Sequence, residues 1–399
     1  MKFLSNNFDD KKLNTFVLQK QVETMSQKSV KFYIIAGEAS GDLHGSNLIK
    51  ALKKQHDNIE FRGWGGDLMK DEGLHLTKHY KDLAFMGFTE VIMNLPTILG
   101  NIKFCKKDIE EYKPDAVIMI DYPGFNLRIA EHVKKLGIKV FYYVSPQIWA
   151  WKENRIHKIK RMVDKMYVIL PFEKDYYKKH DFEVEFCGHP LLDAINLEPK
   201  KTIERERFLK ENNLTDKPII ALLPGSREQE VKRMLKIMLS MVEKFPSYQF
   251  VIAGAPSLPL SFYQQVLPIN IPILFGKTYE LYLFAESGLV TSGTATLEAA
   301  IHRLPQVVCY KAGTISYHIA KRLVKIKYIS LVNLIMDREV VTELIQKDFN
   351  KSKLQDELEK INIGGTSREN ILSDYALLYD KLGGKGASEK IATSMLKSV

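Results

Sequence analysis

The stretch KFYIIAGEASGD, from Lys31 to Asp42, decides the fold. Its apolar run, Phe32–Ala36, shows no alternation of apolar and polar residues, which is typical of a strand covered by helices on both faces. Glycines follow at once, and a helical pattern begins after them. A buried strand, a glycine turn and a helix form the repeating unit of a parallel α/β sheet. The sequence therefore predicts an α/β protein built on parallel sheets.

The same unit recurs in two successive series, separated by the charged connector Asn196–Lys217. The further strand-like runs of the first series are Ala116–Ile120, Val140–Val144 and Met166–Leu170. Those of the second series are Ile219–Leu223, Phe250–Ala253, Leu289–Thr291 and Val307–Tyr310. Two such series predict two Rossmann-like domains facing a central cleft, with ligands bound beyond the carboxyl ends of the strands.

Four segments follow from this pattern. Residues 1–27 are predicted to be a disordered N-terminal extension, residues 28–195 the N-terminal Rossmann-like domain, and residues 196–365 the C-terminal Rossmann-like domain. Residues 366–399 are predicted to be C-terminal helices that pack back on the first domain or are exchanged in a dimer. The helices predicted after the last strand are Arg338–Gln346, Lys351–Ile361, Glu369–Leu382 and Ser388–Leu396.

The composition narrows the class of protein. Hydrophobic residues make up 45% of the chain and charged residues 27%, and no apolar run approaches the roughly 20 residues that span a bilayer. The net charge of +10 suggests a phosphate-bearing substrate, an acidic membrane surface or nucleic acid as partner. The three cysteines are far apart, which argues against a disulfide framework and favours a reducing compartment. No metal site is predicted, because neither an H-E-x-x-H motif nor a cysteine cluster occurs.

Carboxylates follow two strands of the first series. Asp121 comes directly after Ala116–Ile120, and partial desolvation at such a strand end would suit a general base. Glu38 and Asp42 follow the first strand and are the alternative catalytic carboxylates. Asp121 and Asp42 could instead cap the helices that begin beside them.

An aromatic loop, Val144–Lys152, follows a third strand. Its Ser145, Trp149 and Trp151 are candidates for contact with a sugar or an acyl chain, because loops at strand ends often carry function. Packing in the core is the alternative for at least one of the two tryptophans.

Two turns of the second series have the character of phosphate sites. Gly225, Ser226 and Arg227 end one strand, and the guanidinium of Arg227 is suited to bidentate binding of a diphosphate. Ser292, Gly293 and Thr294 end another strand at a helix start, where backbone N–H groups bind anions. Glu298, on the first turns of that helix, could accept hydrogen bonds from ribose hydroxyls.

Residues 83–104 are unusually apolar and are interrupted by Pro96 and Gly100. They predict a helix that lies in a membrane interface. A buried crossover helix is the alternative. The basic segment His318–Lys327 could contact anionic headgroups or an acceptor phosphate. The candidate membrane residues are Phe85, Met86, Phe88, Ile92, Leu95, Ile98 and Leu99.

Eight strings, in order and at matching spacing, resemble the lipid-A-disaccharide synthase family over Val30–Gln346. They are IAGEASGDLHG (35–45), MGFTEV (86–91), IDYPGFN (120–126), YYVSPQIWAWK (142–152), LPFEKDYY (170–177), GHPLLD (188–193), LLPGSREQEV (222–231) and SGTATLEAAI (292–301).

The resemblance implies a GT-B fold and an inverting glycosyl transfer that needs no metal or other cofactor. The donor would be UDP-2,3-diacylglucosamine and the acceptor 2,3-diacylglucosamine 1-phosphate (lipid X). The products would be a β-1,6-linked lipid A disaccharide 1-phosphate and UDP. Asp121 would be the base, while Arg227 and the 292–298 turn would hold UDP. The enzyme would be peripheral on the cytoplasmic face of the inner membrane, and it would be a homodimer.

The chain departs from the family pattern at two loops. Gly124 stands where the family often has an acidic residue, and Val332 stands where it usually has proline. The missing proline weakens the inferred substrate role of Asn333, whereas Glu343 and Gln346 still match the family's E-L-x-Q pattern.

Three other functions are compatible with parts of the sequence. They are an undecaprenyl-lipid N-acetylglucosaminyltransferase, a UDP-sugar epimerase of the same fold, and a nucleotide-binding or nucleic-acid-binding protein without catalysis. The aromatic loop and the apolar 83–104 segment favour diacylated sugars over the first two. The spread of positive charge along the chain disfavours the third.

Overall fold

A computed structural model describes residues 29–83, 95–195, 204–267, 270–313, 317 and 326–399. Contacts divide the chain into two compact units. The first comprises residues 1–148, 152–194 and 385–399, and the second comprises residues 149–151 and 195–384. Each unit contains one sheet with parallel strand pairs, so the predicted α/β class is confirmed. The predicted extension, residues 1–27, lies outside the described residues.

The first unit has a seven-stranded sheet in the order β3-β2-β1-β4-β5-β6-β7. Its strands are β1 Val30–Ala36, β2 Ile59–Gly65, β3 His75–His79, β4 Ala116–Ile120, β5 Lys139–Tyr143, β6 Lys165–Val168 and β7 Glu185–Phe186. Its helices up to the start of the second unit are α1 Ala39–Gln55, α2 Asp67–Asp71, α3 Leu95–Tyr112, α4 Pro123–Lys135, α5 Ile156–Met162, α6 Pro171–Lys178 and α7 Leu191–Ala194. The strand order reverses direction between β1 and β4, which is where doubly wound sheets bind ligands.

Helices cover both faces of this sheet, as the unbroken apolar strands predict. Tyr33 and Ile35 of β1 belong to a core shared with α3, α4 and α5. Phe32 and Ile34 face the other way, into a core shared with α1 and with a C-terminal helix, Ala387–Leu396. That helix is bound at its start by Asp193, whose carboxylate accepts the N–H groups of Gly386 and Ser388, both at 2.7 Å.

The second unit has a six-stranded sheet in the order β10-β9-β8-β11-β12-β13. Its strands are β8 Ile219–Leu223, β9 Gln249–Gly254, β10 Ile273–Phe275, β11 Ala285–Thr291, β12 Gln306–Tyr310 and β13 Glu343–Ile345. Its helices are α8 Arg205–Glu211, α9 Glu228–Met238, α10 Leu260–Val266, α11 Thr278–Phe284, α12 Thr294–Ile301, α13 Leu331–Met336, α14 Lys351–Ile361 and α15 Arg368–Lys381. The C-terminal helix Ala387–Leu396, which follows as α16, belongs to the first unit.

The helix predicted over Arg338–Gln346 is wrong. The structure has turns followed by the edge strand β13, which pairs with β12. The reason lies in hydrogen bonds to a side chain earlier in the chain, which take N–H groups that a helix would use: the side-chain oxygen of Asn333 accepts the N–H groups of Val340 and Val341 at 2.8 and 3.0 Å. Two adjacent valines also favour an extended backbone.

Candidate active site

The turn that follows β4 contains the strongest candidate base. Asp121 and Tyr122 both have positive φ angles, 45° and 47°, a backbone region that costs free energy for residues with a Cβ. Pro123 then starts α4, where its fixed φ suits the first helical position. Strained residues of this kind cluster at active sites, so Asp121 remains the candidate base.

The pKa of Asp121 is suited to proton transfer near neutral pH. Burial, and then the negative charge of Glu38, raise the pKa of this carboxyl to about 6, while a backbone hydrogen bond at Tyr122 opposes the rise. At neutral pH such a carboxylate is ionised, yet it is a stronger base than an exposed one.

Glu38 lies beside this turn, at the N-cap position of α1. Its charge also raises the pKa of the Tyr122 hydroxyl, after the larger effect of burial. The Tyr122 ring covers Gly37, and a Cβ on Gly37 would come within 2.5 Å of the ring. The structure therefore brings together two of the three predicted catalytic carboxylates, with glycine required between strand and helix.

Asp42, the third predicted carboxylate, has a structural role instead. It is buried, and its two oxygens accept the N–H groups of Gly66, Leu68 and Met69 at 2.7, 3.2 and 3.1 Å. These amides begin α2, so Asp42 caps a helix other than its own. A carboxylate with its lone pairs engaged in this way is poorly placed to accept a proton from a substrate.

The aromatic loop after β5 is anchored from within. Ser145 is buried, and its hydroxyl donates a hydrogen bond to the carboxylate of Glu173. Glu173 is also buried and accepts the N–H groups of Ile169 and Leu170. Ser145 therefore holds the start of the loop in place, while Trp151 is 41% exposed. Trp149 is half-buried.

In the second unit, the turns after β8 and β11 line one cavity of about 320 Å³. Six of the seven predicted UDP-binding residues line it, namely Gly225, Ser226, Ser292, Gly293, Thr294 and Glu298. Arg227, the seventh, is exposed at the N-cap position of α9. Helix starts with small residues leave backbone N–H groups accessible to an anion.

Two carboxylates border this cavity. Glu230 accepts the N–H of Ser226 at 3.3 Å and lies against Gly225, whose φ of 113° favours glycine. Burial raises the pKa of Glu298, and the hydroxyl of Tyr282 donates to it at 3.4 Å. Glu298 is thus held at the cavity, where it can accept hydrogen bonds from hydroxyl groups.

The family-derived residues Asn333 and Glu343 are engaged in the fold. Asn333 is fully buried, and its side-chain N–H donates to the Glu343 carboxylate at 2.9 Å. The same carboxylate accepts the N–H groups of Ile329 and Ser330, both at 2.9 Å. Gln346 donates to the carbonyl of Ala312 at 3.3 Å. These contacts shape the loop before α13 and leave Asn333 no exposed surface for a substrate.

Of the predicted membrane segment, the structure describes Leu83, which is buried, and residues 95–104. Leu95 and Leu99 are exposed on α3, and Ile98 is half-buried. The remaining candidates Phe85, Met86, Phe88 and Ile92, and most of the basic segment His318–Lys327, lie outside the described residues. In the described part of the chain, no helix combines the length and the apolar character needed to cross a membrane.

Glu173 and Glu230 were not among the residues singled out from the sequence. Each stands at the third position of a helix, where a carboxylate binds backbone N–H groups at the helix start. That spacing is visible in the sequence, so a search for helix caps beside the candidate loops would have found both.

The chain is similar to known proteins over most of its length. A family model for lipid-A-disaccharide synthetase matches residues 32–396. The lipid-A-disaccharide synthase of Syntrophus aciditrophicus (strain SB) is 40% identical over 372 residues, which cover 91% of this chain and 96% of that protein. The lipid-A-disaccharide synthase of Coxiella burnetii (strain Dugway 5J108-111) is 36% identical, with 92% and 98% covered.

Solved structures share the fold at low sequence identity. UDP-GlcNAc 2-epimerase from Neisseria meningitidis, bound to UDP-GlcNAc, has a TM-score of 0.66 and 14% identity, covering 93% of this chain and 100% of that chain. The glycotransferase of kitacinnamycin has a TM-score of 0.63 and 10% identity, covering 93% and 99%. At such identities the likeness shows the fold alone, and it confirms the predicted GT-B class.

Proposed function

Because the chain belongs to the lipid-A-disaccharide synthetase family, and is therefore a glycosyltransferase, we propose that it joins UDP-2,3-diacylglucosamine to 2,3-diacylglucosamine 1-phosphate with inversion at the anomeric carbon. The products are the β-1,6-linked disaccharide 1-phosphate and UDP. The observation that carries the mechanism is the partly buried carboxylate of Asp121, whose pKa is raised to about 6 at the end of β4.

The transfer takes place in one displacement. The 6-hydroxyl oxygen of the acceptor attacks the anomeric carbon of the donor, and its proton passes to the carboxylate of Asp121. The bond between the anomeric carbon and the phosphate oxygen breaks, and its electron pair leaves with UDP. Asp121 then returns the proton to water. Glu38 contributes by raising the basicity of Asp121 through its charge.

The second unit holds the leaving group. The N–H groups at the start of α12 and the guanidinium of Arg227 face a diphosphate, whose negative charge grows as the glycosidic bond breaks. Glu298 accepts hydrogen bonds from the ribose hydroxyls. This assignment is supported by the shared cavity that the turns after β8 and β11 line.

The acyl chains of the proposed donor and acceptor require a lipid surface. Leu95 and Leu99 are exposed at the start of α3, and Lys103 and Phe104 are exposed further along the same helix. Apolar side chains beside a cation are suited to an interface with anionic headgroups. We propose that the enzyme binds peripherally through this region, at the cytoplasmic face of the inner membrane.

The pH dependence of kcat/KM should have an acidic limb near pH 6. Only the ionised Asp121 accepts a proton, so activity should fall about tenfold for each pH unit below the pKa of this carboxyl. Replacing Glu38→Gln removes a charge that raises this pKa, and the limb should move to lower pH. A limb that stays in place in Glu38→Gln would mean that another group, such as the acceptor phosphate, sets the profile.

The proposed substrates are tested by comparing donors in mixed micelles that contain the acceptor. UDP-2,3-diacylglucosamine should give disaccharide and UDP, whereas UDP-N-acetylglucosamine should not. Epimerisation of UDP-N-acetylglucosamine, or its transfer to an undecaprenyl lipid, would instead assign the chain to one of the competing activities. No disaccharide from the pure enzyme with the diacyl donor would contradict the proposal.

A further inference from the structure

The carbonyl oxygen of Asp121 receives two side-chain hydrogen bonds. The hydroxyl of Tyr142 donates to it at 2.6 Å, and the side-chain N–H of Asn126 donates at 2.7 Å. Tyr142 and Asn126 are both fully buried. One comes from β5, next to β4 in the sheet, and the other from the first turns of α4. Two buried donors from separate elements therefore fix one backbone oxygen.

This oxygen belongs to the strained part of the turn. It is the oxygen of the peptide group between Asp121 and Tyr122, and both of these residues have positive φ. Neither residue is glycine, so the chain would relax toward the extended region if nothing opposed it. Hydrogen bonds that act on the linking peptide oppose that relaxation directly.

The orientation of this peptide determines the surroundings of the carboxylate. The ring of Tyr122, the second residue of this peptide, covers Gly37, which precedes Glu38. Burial and the charge of Glu38 are the two influences that set Asp121 apart from an exposed aspartate. Both depend on where this turn holds the Asp121 side chain.

We propose that Tyr142 and Asn126 are positioning residues, which keep the left-handed Asp121–Tyr122 turn in the conformation required for general-base catalysis. The inference rests on the proposed function, since it takes Asp121 as the base. Neither side chain touches the reacting atoms in this role. They act through the backbone of Asp121.

The neighbouring tyrosine provides a matched control. Tyr143 is also fully buried on β5, but its hydroxyl interacts with Ser388 and not with Asp121. Tyr142→Phe and Tyr143→Phe each remove one buried hydroxyl from the same strand. Only the first removes a hydrogen bond to Asp121.

The experiment measures kcat, KM and the pH profile of both variants with the diacyl donor and acceptor. Tyr142→Phe should lower kcat about tenfold, leave KM for the donor within about twofold, and move the acidic limb to lower pH. Tyr143→Phe should match the unmodified enzyme in all three. A general loss of stability would not move the acidic limb, so the pH profile separates positioning from structural support.

A double variant tests whether the remaining hydrogen-bond donor compensates for the loss of the Tyr142 hydroxyl. In the double variant Tyr142→Phe/Asn126→Ala the carbonyl of Asp121 loses both side-chain donors, so the shift of the acidic limb should exceed that of Tyr142→Phe alone. Unchanged kcat and an unchanged limb in a folded double variant would overturn the inference.

The variant Asp121→Asn, measured in the same assay, separates this inference from the proposed function. If Asp121→Asn is inactive, the proposed base stands even where the inference about Tyr142 and Asn126 has failed. If Asp121→Asn is active, the assignment of Asp121 as the base fails and the inference fails with it, while the proposed substrates still stand.

Discussion

Asp121→Asn should lower kcat by about 10²–10⁴-fold, the usual contribution of a positioned general base. Asparagine has nearly the same shape as aspartate and preserves the turn, but its amide does not accept the proton of the attacking hydroxyl. UDP affinity should stay within about twofold, because the predicted UDP site lies in the second unit. The measurements are steady-state turnover and calorimetric titration with UDP.

Asp71→Asn is a suitable control, because Asp71 is exposed at the end of α2 in the same unit. It should turn over at the unmodified rate. Near-normal turnover in Asp121→Asn would remove Asp121 as the base and leave Glu38 as the candidate carboxylate. Asp42 would not replace it, because three backbone N–H groups occupy its oxygens.

Arg227→Ala should weaken UDP binding about 10- to 100-fold. A hydrogen bond from a charged donor contributes about 1.5–3 kcal/mol, and a diphosphate is the natural partner of a guanidinium. Turnover should fall as well, because negative charge develops on the leaving UDP. Calorimetric titration of UDP into the folded variant measures the first effect.

Arg233→Ala tests whether net charge alone explains the loss. Arg233 is exposed further along α9, so its removal changes the charge of the unit by the same amount away from the turn after β8. UDP affinity should be unchanged in this variant. Equal losses in the two variants, or no loss in Arg227→Ala, would contradict the assignment of Arg227 to the diphosphate.

The buried strands could be predicted from sequence because their signal is local. Ala116–Ile120 and Ile219–Leu223 are continuous apolar runs, and the structure has strands with those bounds. Edge strands carry a weaker signal. β7 has two residues and β13 has three, and their conformation depends on the neighbouring strand more than on their own composition.

In the candidate site, too, residues with a local sequence signal could be predicted and residues that act through distant contacts could not. Asp121 could be chosen from the sequence because a carboxylate at the end of a buried strand is a local pattern. The role of Asp42 could not, because its partners lie 24 to 27 residues further along the chain. Tyr142 reads as one more apolar core residue in β5, and only the pairing of β4 with β5 brings its hydroxyl to Asp121.

The most direct test of the account is the configuration of the new glycosidic bond. The enzyme would be given an α-linked UDP-2,3-diacylglucosamine donor and 2,3-diacylglucosamine 1-phosphate, and the disaccharide would be analysed by proton NMR. A single displacement assisted by Asp121 predicts a β-1,6 linkage, formed about 10²–10⁴ times more slowly by Asp121→Asn. An α-linked product, or β-linked product formed equally fast by Asp121→Asn, would contradict it.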